Sequence, residues 1–304
     1  MPTQRPTDCR LETVGWLDTR AKRRIGRRSF LRFLFQAASL GSALGIAGGV
    51  WATEDDARPS FSREAYEQAL QAIPLRELPD AVRAKISSVV QQPTIYRRLP
   101  VEAIECDPEL YTFLVRYPEV VVNIWQLMGV TRVQIRRVAP YVFDADDGAG
   151  TQSRVELLYA SREKHLLYAN GFYEGPLLKR RVTGRCVLLL QSSYSTTAEE
   201  RPLISSRLDL FVSLDNVGAE LVAKTLHPLV GKTADHNFQE SMRFVAQMSQ
   251  QAELNAEGMQ RLAMRLDRVE ESVRRQFATV AEGVGQRAVL RVASADASTP
   301  RAMK

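Results

Sequence analysis

Apolar positions change their spacing twice along the chain. In Phe61–Ile73, Tyr66, Ala69, Leu70 and Ile73 fall on one helical face behind Ser62, a residue suited to cap a helix. Asp80–Val90 reads the same way. Thr94–Cys106 is extended, with Ile95, Tyr96, Leu99, Val101 and Ile104 apolar and Pro100 marking an edge or a bend. Asp107 caps a short helix with Pro108 in its first position, running through Leu110, Phe113 and Leu114. Pro118 ends it and opens another, in which Val121, Val122, Trp125 and Met128 are spaced for burial and which Gly129 closes.

The next block is strand-rich. Thr131–Phe143 alternates, Ser153–Ala160 and His165–Phe172 form a hairpin across residues 161–164, and Leu177–Tyr194 is long. In Ile204–Leu214, Leu208, Leu210, Val212 and Leu214 share one face, with Asp209, Phe211 and Ser213 on the other. A helical region begins at Asp215, with a break expected at Pro228 and Gly231, and resumes from Ala234 through Phe244, Val245 and Met248. Glu257–Val284 is a further amphipathic segment. Its apolar residues Met259, Leu262, Leu266, Val269, Val273, Phe277, Val280 and Val284 recur at steps of three and four. It either packs on the domain or joins two copies as a homo-oligomer through residues 257–284.

Strands joined by short turns make an antiparallel sheet, which has one face to bury, and the long helix is its natural cover. The expected class is α+β: a curved antiparallel sheet, two short helices after its first strand, a long C-terminal helix across it, and a final amphipathic helix. This order resembles the START-like (SRPBCC, helix-grip) superfamily over Thr94 to about Gln250. Pro108, Phe113, Tyr117, Pro118 and Trp125 look like that family's short helical insert. A seventh strand is obtained only by splitting Leu177–Tyr194 at Gly184. The rival architecture is a small β-sandwich or lipocalin-like barrel with helices.

The resemblance implies an apolar cavity between sheet and helix, and hence a carrier of a lipid, an isoprenoid or a similar ligand. The cavity candidates are Trp125, Tyr159, Tyr168, Tyr173, Asn237 and Ser241. Each also has a plain structural reading, as core packing, cross-strand aromatic contact or a satisfied polar group. The alternatives are a cyclase- or aromatase-like enzyme with a cavity acid–base residue, and an envelope scaffold oligomerising through its last helix. No phosphate loop, nucleophile elbow or metal-ligand spacing is present, and no cofactor is implied. His165, near the hairpin turn, reads as solvated. So do the basic runs Arg97-Arg98, Arg136-Arg137 and Lys179-Arg180-Arg181, for which an anionic head-group site is the sharper reading.

The N-terminus changes the picture. Gly26-Arg27-Arg28-Ser29-Phe30-Leu31-Arg32 resembles the twin-arginine export signal: Arg27, Arg28, Phe30 and Leu31 match its pattern, while Gly26 and Arg32 depart mildly. A basic segment precedes the motif, the uncharged stretch Phe33–Val50 follows it, and Val50-Trp51-Ala52 supplies small residues where a signal peptidase reads. The resemblance implies the twin-arginine translocase as a partner and a periplasmic location. If the signal is not cleaved, the chain stays anchored in the membrane.

The chain thus divides into a signal (1–52), a linker with short helices (53–93), the helix-grip domain (94–250), an amphipathic helix (251–290) and a disordered tail (291–304). Charge then loses its first meaning. The 304 residues carry a formal +6, but residues 1–52 hold nine Lys/Arg and three Asp/Glu, which leaves 32 of each sign in the remainder. Nucleic-acid binding has no electrostatic footprint there. Of three cysteines, Cys106 and Cys186 remain after the signal, open to one disulfide or to two free thiols.

Overall fold

The computed structural model describes residues 58–176, 180–215, 218 and 227–298. The export motif Arg27, Arg28, Phe30 and Leu31 lies outside them. No helix among the described residues is long and apolar enough to cross a membrane.

Two helices come first, α1 (Arg63–Ala72) and α2 (Asp80–Val90). Ser62 Oγ accepts the Ala65 amide at 3.1 Å, satisfying one of the free N–H groups of the first turn. The extended segment that follows is two strands, β1 (Ile95–Arg98) and β2 (Glu102–Glu105). Both pair with β8 (Pro202–Leu214), Ile95 opposite Val212 and Glu105 opposite Leu203, so they act as one edge strand bent at Pro100. Helices α3 (Pro108–Arg116) and α4 (Pro118–Leu127) follow as the prolines required. Asp107 Oδ1 accepts the amides of Glu109 and Leu110 at 3.0 and 3.2 Å.

The remaining strands are β3 (Gln134–Ala139), β4 (Val142–Asp146), β5 (Thr151–Ala160), β6 (Lys164–Tyr173) and β7 (Val182–Thr196). All pairings are antiparallel, in the order β1-β8-β7-β6-β5-β4-β3, and the eight-stranded sheet is curved. Thr131–Phe143, read from sequence as one strand, is two. Pro140 offers no N–H to a ladder and Tyr141 takes φ +60°, so the chain reverses there. This turn, not Gly184, supplies the additional strand. β7 passes through Gly184 unbroken, and a Cβ there would lie 2.6 Å from Leu214 Cδ2, so a larger residue would have to displace that side chain.

Long helix α5 (His227–Leu254) runs through Gly231 without the break expected there, and the residues that precede it, 219–226, lie outside the described ones. The segment after it is two helices, α6 (Ala256–Met264) and α7 (Glu271–Ser298). α7 continues to Ser298, so residues 291–298 are helix where a disordered tail was expected.

The larger correction concerns the faces of the sheet. Side chains directly opposite in a ladder share a face. On the outer face, Leu166, Tyr168, Val187, Leu189 and Phe211 are buried under α1 and α2 together with Ala65, Ala69, Ile86, Val89 and Val90. The segment read as linker with short helices is therefore a covering layer, and both faces of the sheet are roofed. On the inner face, Ile204 and Leu190 pack with α3, α4 and α5, and α6 and α7 close over those helices. α5 follows the bent edge strand: Asp235 pairs with Arg97 of β1, and Ser249 Oγ accepts the Asp107 amide at 2.9 Å beyond β2. The apolar stripe of residues 257–284 is buried within the chain, with the Phe277 ring stacked on Phe113 at 5.8 Å.

Candidate functional site

The inner face holds an unequal distribution of burial. Val155 and Leu157 of β5, Leu167 and Ala169 of β6, Cys186 and Leu188 of β7, and Leu208, Leu210 and Val212 of β8 occupy successive cross-strand positions on this face. All nine are only half-buried, whereas their outer-face neighbours Leu166, Tyr168, Val187, Leu189 and Phe211 are buried. The strip is continuous and apolar across four strands.

One end of the inner face is filled by a polar cluster. The Tyr111 hydroxyl of α3 lies 2.7 Å from Ser192 Oγ and 2.8 Å from Ser206 Oγ, all three buried. Burial pushes the Tyr111 phenol up to about 12, against the two serine hydrogen bonds. The cluster fastens α3 to β7 and β8 and leaves no free hydroxyl facing the strip.

Helix residues border the strip. Trp125 of α4 meets Phe244 of α5 edge-on at 5.4 Å. Asn237, Ser241 and Phe244 share one face of α5 at steps of four and three, and all are half-buried, as is Trp125. Three of the cavity candidates, Trp125, Asn237 and Ser241, therefore lie on helices beside the inner face. Tyr173 is also on the inner-face register, at the end of β6. Tyr159 and Tyr168 are not. Tyr168 is buried on the outer face with Lys85 Nζ 4.8 Å over its ring, and the Tyr159 hydroxyl donates to Glu77 Oε2 at 2.7 Å. Period two assigned them to strands, but the bulge between Leu157 and Tyr159 moves Tyr159 off the strip's register.

Cys106 and Cys186 are free thiols, so the disulfide alternative falls; burial pushes both up to about 12. No group of His, Cys, Asp and Glu among the described residues could hold a metal.

His165, expected to be solvated, is fully buried on the inner-face register opposite Leu190. Neither ring nitrogen has a hydrogen-bond partner among the described residues. Burial, with the nearby Arg116 cation, pulls its pKa down to about 4, so the ring is neutral at pH 7. A ring with no exposed surface does not reach a ligand on the strip.

The basic runs are also resolved. Arg97 and Arg98 are both buried, on opposite faces, with Asp235 and Asp209 as partners. Arg137 pairs with buried Glu119 at the start of α4, and the rings of Tyr117 and Phe143 lie 5.0 and 4.9 Å from its guanidinium. Burial raises the Glu119 carboxyl, and Arg137 opposes that shift.

A hollow of about 930 Å³ lies over β3–β7. Two cross-strand rows supply most of its wall: Gln134, Asp146, Gln152, Phe172 and Thr183; and Arg136, Asp144, Arg154 and Asn170. Asn170 and Phe172 share the register of Tyr168, so both rows belong to the outer face. A third row, Ile135, Ala145, Ser153 and Gly171, has the inner-face register of Val155, and Arg181 and Arg268 complete the lining. None of the six cavity candidates lines it. Arg268, on the connection between α6 and α7, had no signal in the sequence, because a loop residue brought to a strand edge by two helices has no period to betray it.

No family model matches the chain, and no curated protein does. Several solved structures are similar in fold. A hypothetical protein from Helicobacter pylori aligns at 11% identity over 49% of this chain and 87% of its own, with a TM-score of 0.32. A conserved protein from Geobacillus kaustophilus aligns at 12% identity over 47% and 93%, with a TM-score of 0.29. A norcoclaurine synthase point mutant from Thalictrum flavum aligns at 12% identity over 50% and 96%, with a TM-score of 0.33. Likeness at this level reaches the order of elements and nothing chemical. The strand order, the two helices after the bent edge strand and the long helix behind them make this a helix-grip fold.

Proposed function

We propose that the protein is an exported, non-catalytic binder of an apolar ligand, a lipid, an isoprenoid or a molecule of similar character. The inner-face strip holds the ligand, and the α4–α5 border at Trp125, Asn237, Ser241 and Phe244 orients it. The carrying observation is the contrast on single strands: Leu188 half-buried beside Leu189 buried, Leu210 half-buried beside Phe211 buried. Where α1 and α2 close the outer face of β6–β8, nine adjacent apolar side chains left half-covered on the other face are a surface that an apolar ligand would cover. Each 100 Å² of such surface removed from water contributes about 2.5 kcal/mol. Export rests on the resemblance of the Arg27–Leu31 motif to the twin-arginine signal.

The cyclase reading needs an acid or base at the strip. Within the strip the strand residues offer only the Cys186 thiol, which burial keeps protonated; Tyr173 stands at its end on β6, and His165 and Tyr111 are enclosed. This favours binding over chemistry. Native mass spectrometry of the chain recovered from the cell envelope tests the proposal. A co-purifying apolar mass is expected, together with a change in Trp125 emission when it is extracted. A chain at its bare mass that also fails to take up a fluorescent fatty-acid probe overturns it.

A further inference from the structure

None of the nine strip residues lines the hollow over β3–β7, which on β5 and β6 meets their register only at Ser153 and Gly171. Its wall carries four arginines against two aspartates. Asp144 is engaged: Arg154 donates to both its oxygens at 2.8 and 3.2 Å, and Arg136 reaches it at 3.4 Å. Asp146 accepts the Gly148 amide at 2.7 Å and the Gln152 amide at 3.0 Å. Both carboxylates are thereby held by groups within the wall. Arg181 and Arg268 have no carboxylate partner among the described residues. The Arg181 guanidinium lies 3.5 Å from the centre of the Phe172 ring, which fixes the plane of its fork. Arg268 is placed by its backbone amide, which donates to Asn123 Oδ1 of α4 at 3.3 Å.

We propose that this hollow binds a phosphate-bearing ligand, with Arg181 and Arg268 as its phosphate-binding residues. The excess of two positive charges matches a phosphomonoester dianion, and a guanidinium fork matches two phosphate oxygens. Gln134, Gln152 and Asn170 supply neutral amide donors at the same wall for further oxygens. Asp144 holds Arg136 and Arg154 in place and repels a ligand set too deep, so the phosphate sits towards Arg181 and Arg268. The volume admits a ligand of metabolite size. Two of the three basic runs of the sequence, those containing Arg136 and Arg181, thus each contribute an arginine to one site that the apolar-ligand reading does not use.

The test uses the full chain, wild type and the double variant R181Q/R268Q, titrated calorimetrically with glycerol 3-phosphate and floated with vesicles of phosphatidylglycerol or of phosphatidylcholine. Uptake of the apolar probe and the thermal midpoint, both expected unchanged, confirm that the variant is folded. Saturable binding of the soluble phosphomonoester, weakened at least about tenfold in the variant, is the expected result for a free ligand. Flotation with phosphatidylglycerol alone, lost in the variant, assigns the phosphate to a lipid head group. Binding that is absent in both formats, or equal in wild type and variant, overturns the proposal. A failure here with apolar-probe uptake intact leaves the inner-face reading standing.

Discussion

Arg98 Nε donates to Asp209 Oδ1 at 2.8 Å between two side chains that are 2% and 0% exposed. The same carboxylate oxygen accepts the Tyr96 hydroxyl at 2.7 Å, and the other guanidinium nitrogens reach Gln68 Oε1 and the Ala65 carbonyl at 2.7 and 3.0 Å. Arg98 therefore ties β8, β1 and α1 together. Removing Asp209 takes the buried counter-charge from Arg98 and from Arg207, whose Nε lies 3.8 Å from the same carboxylate. Asp209→Ala is expected to destabilise the fold by about 3–5 kcal/mol in urea unfolding. The double variant Asp209→Leu with Arg98→Met should recover part of that loss. A single variant within about 0.5 kcal/mol of wild type would show that the pair is not the tie.

His165 sets part of the acid sensitivity. Its folded-state pKa is near 4 against an ordinary 6.5, so the unfolded chain takes up the proton first as pH falls. Its contribution is complete above about pH 6.5 and is lost on the way down to pH 4, roughly 3 kcal/mol in all. Glu102, Glu119 and Asp235, raised chiefly by burial, act in the opposite sense. The comparison of wild type with His165→Leu isolates the histidine. The variant should be at least as stable at pH 7, because two unpaired buried nitrogens are removed, and its stability should fall less steeply between pH 6.5 and 4. Parallel curves would remove the assignment.

Phe277 is fully buried and stacks on Phe113, which itself stacks on Tyr117 at 4.7 Å. Phe277→Ala is expected to cost about 3–5 kcal/mol, measured by the urea midpoint at unchanged slope. Deletion from Glu257 to Lys304 should lower stability in a monomer, since it uncovers α3 and α5. If the deletion removes oligomers and leaves the midpoint untouched, the helix is an assembly device.

Leu188 and Leu189 are neighbours with opposite fates. Leu188→Lys places a charge on the half-buried inner strip and should cost under about 1 kcal/mol while reducing apolar-probe uptake. Leu189→Lys places one in the closed outer core and should prevent folding. Equal damage from both would mean that the inner face is as tightly packed as the outer.

Much of the fold is legible in local patterns. Ser62, Asp107, Pro108 and Pro118 place four helix boundaries through capping and missing N–H groups, which depend on a few adjacent residues. Pro100 marks the bend between β1 and β2 for the same reason. At the β3–β4 turn Pro140 is a local cue against one continuous strand, while Tyr141 gives no composition cue for its positive φ. The two-sided sheet was also written in the sequence: Leu166-Leu167-Tyr168 and Val187–Leu190 are continuous apolar runs, the mark of a strand buried on both faces, where alternation marks a strand roofed on one. The site was half legible. Trp125, Asn237 and Ser241 reach the inner face through helical spacing, whereas Tyr159 and Tyr168 depend on a bulge and on which face a distant helix covers.

Local chemistry along the chain determined the order of elements, the helix starts and stops, the antiparallel hairpins and the near-neutral charge after residue 52. Those depend on neighbours within a turn or two of each residue. The tertiary structure alone decided that α1 and α2 roof the outer face, that Arg97 and Arg98 are buried on opposite sides, that His165 is enclosed, and that Arg268 joins Arg181 at one hollow. Each of these depends on groups far apart in sequence meeting as layers close, and the free energy of burial or ion pairing belongs to the pair and not to either residue.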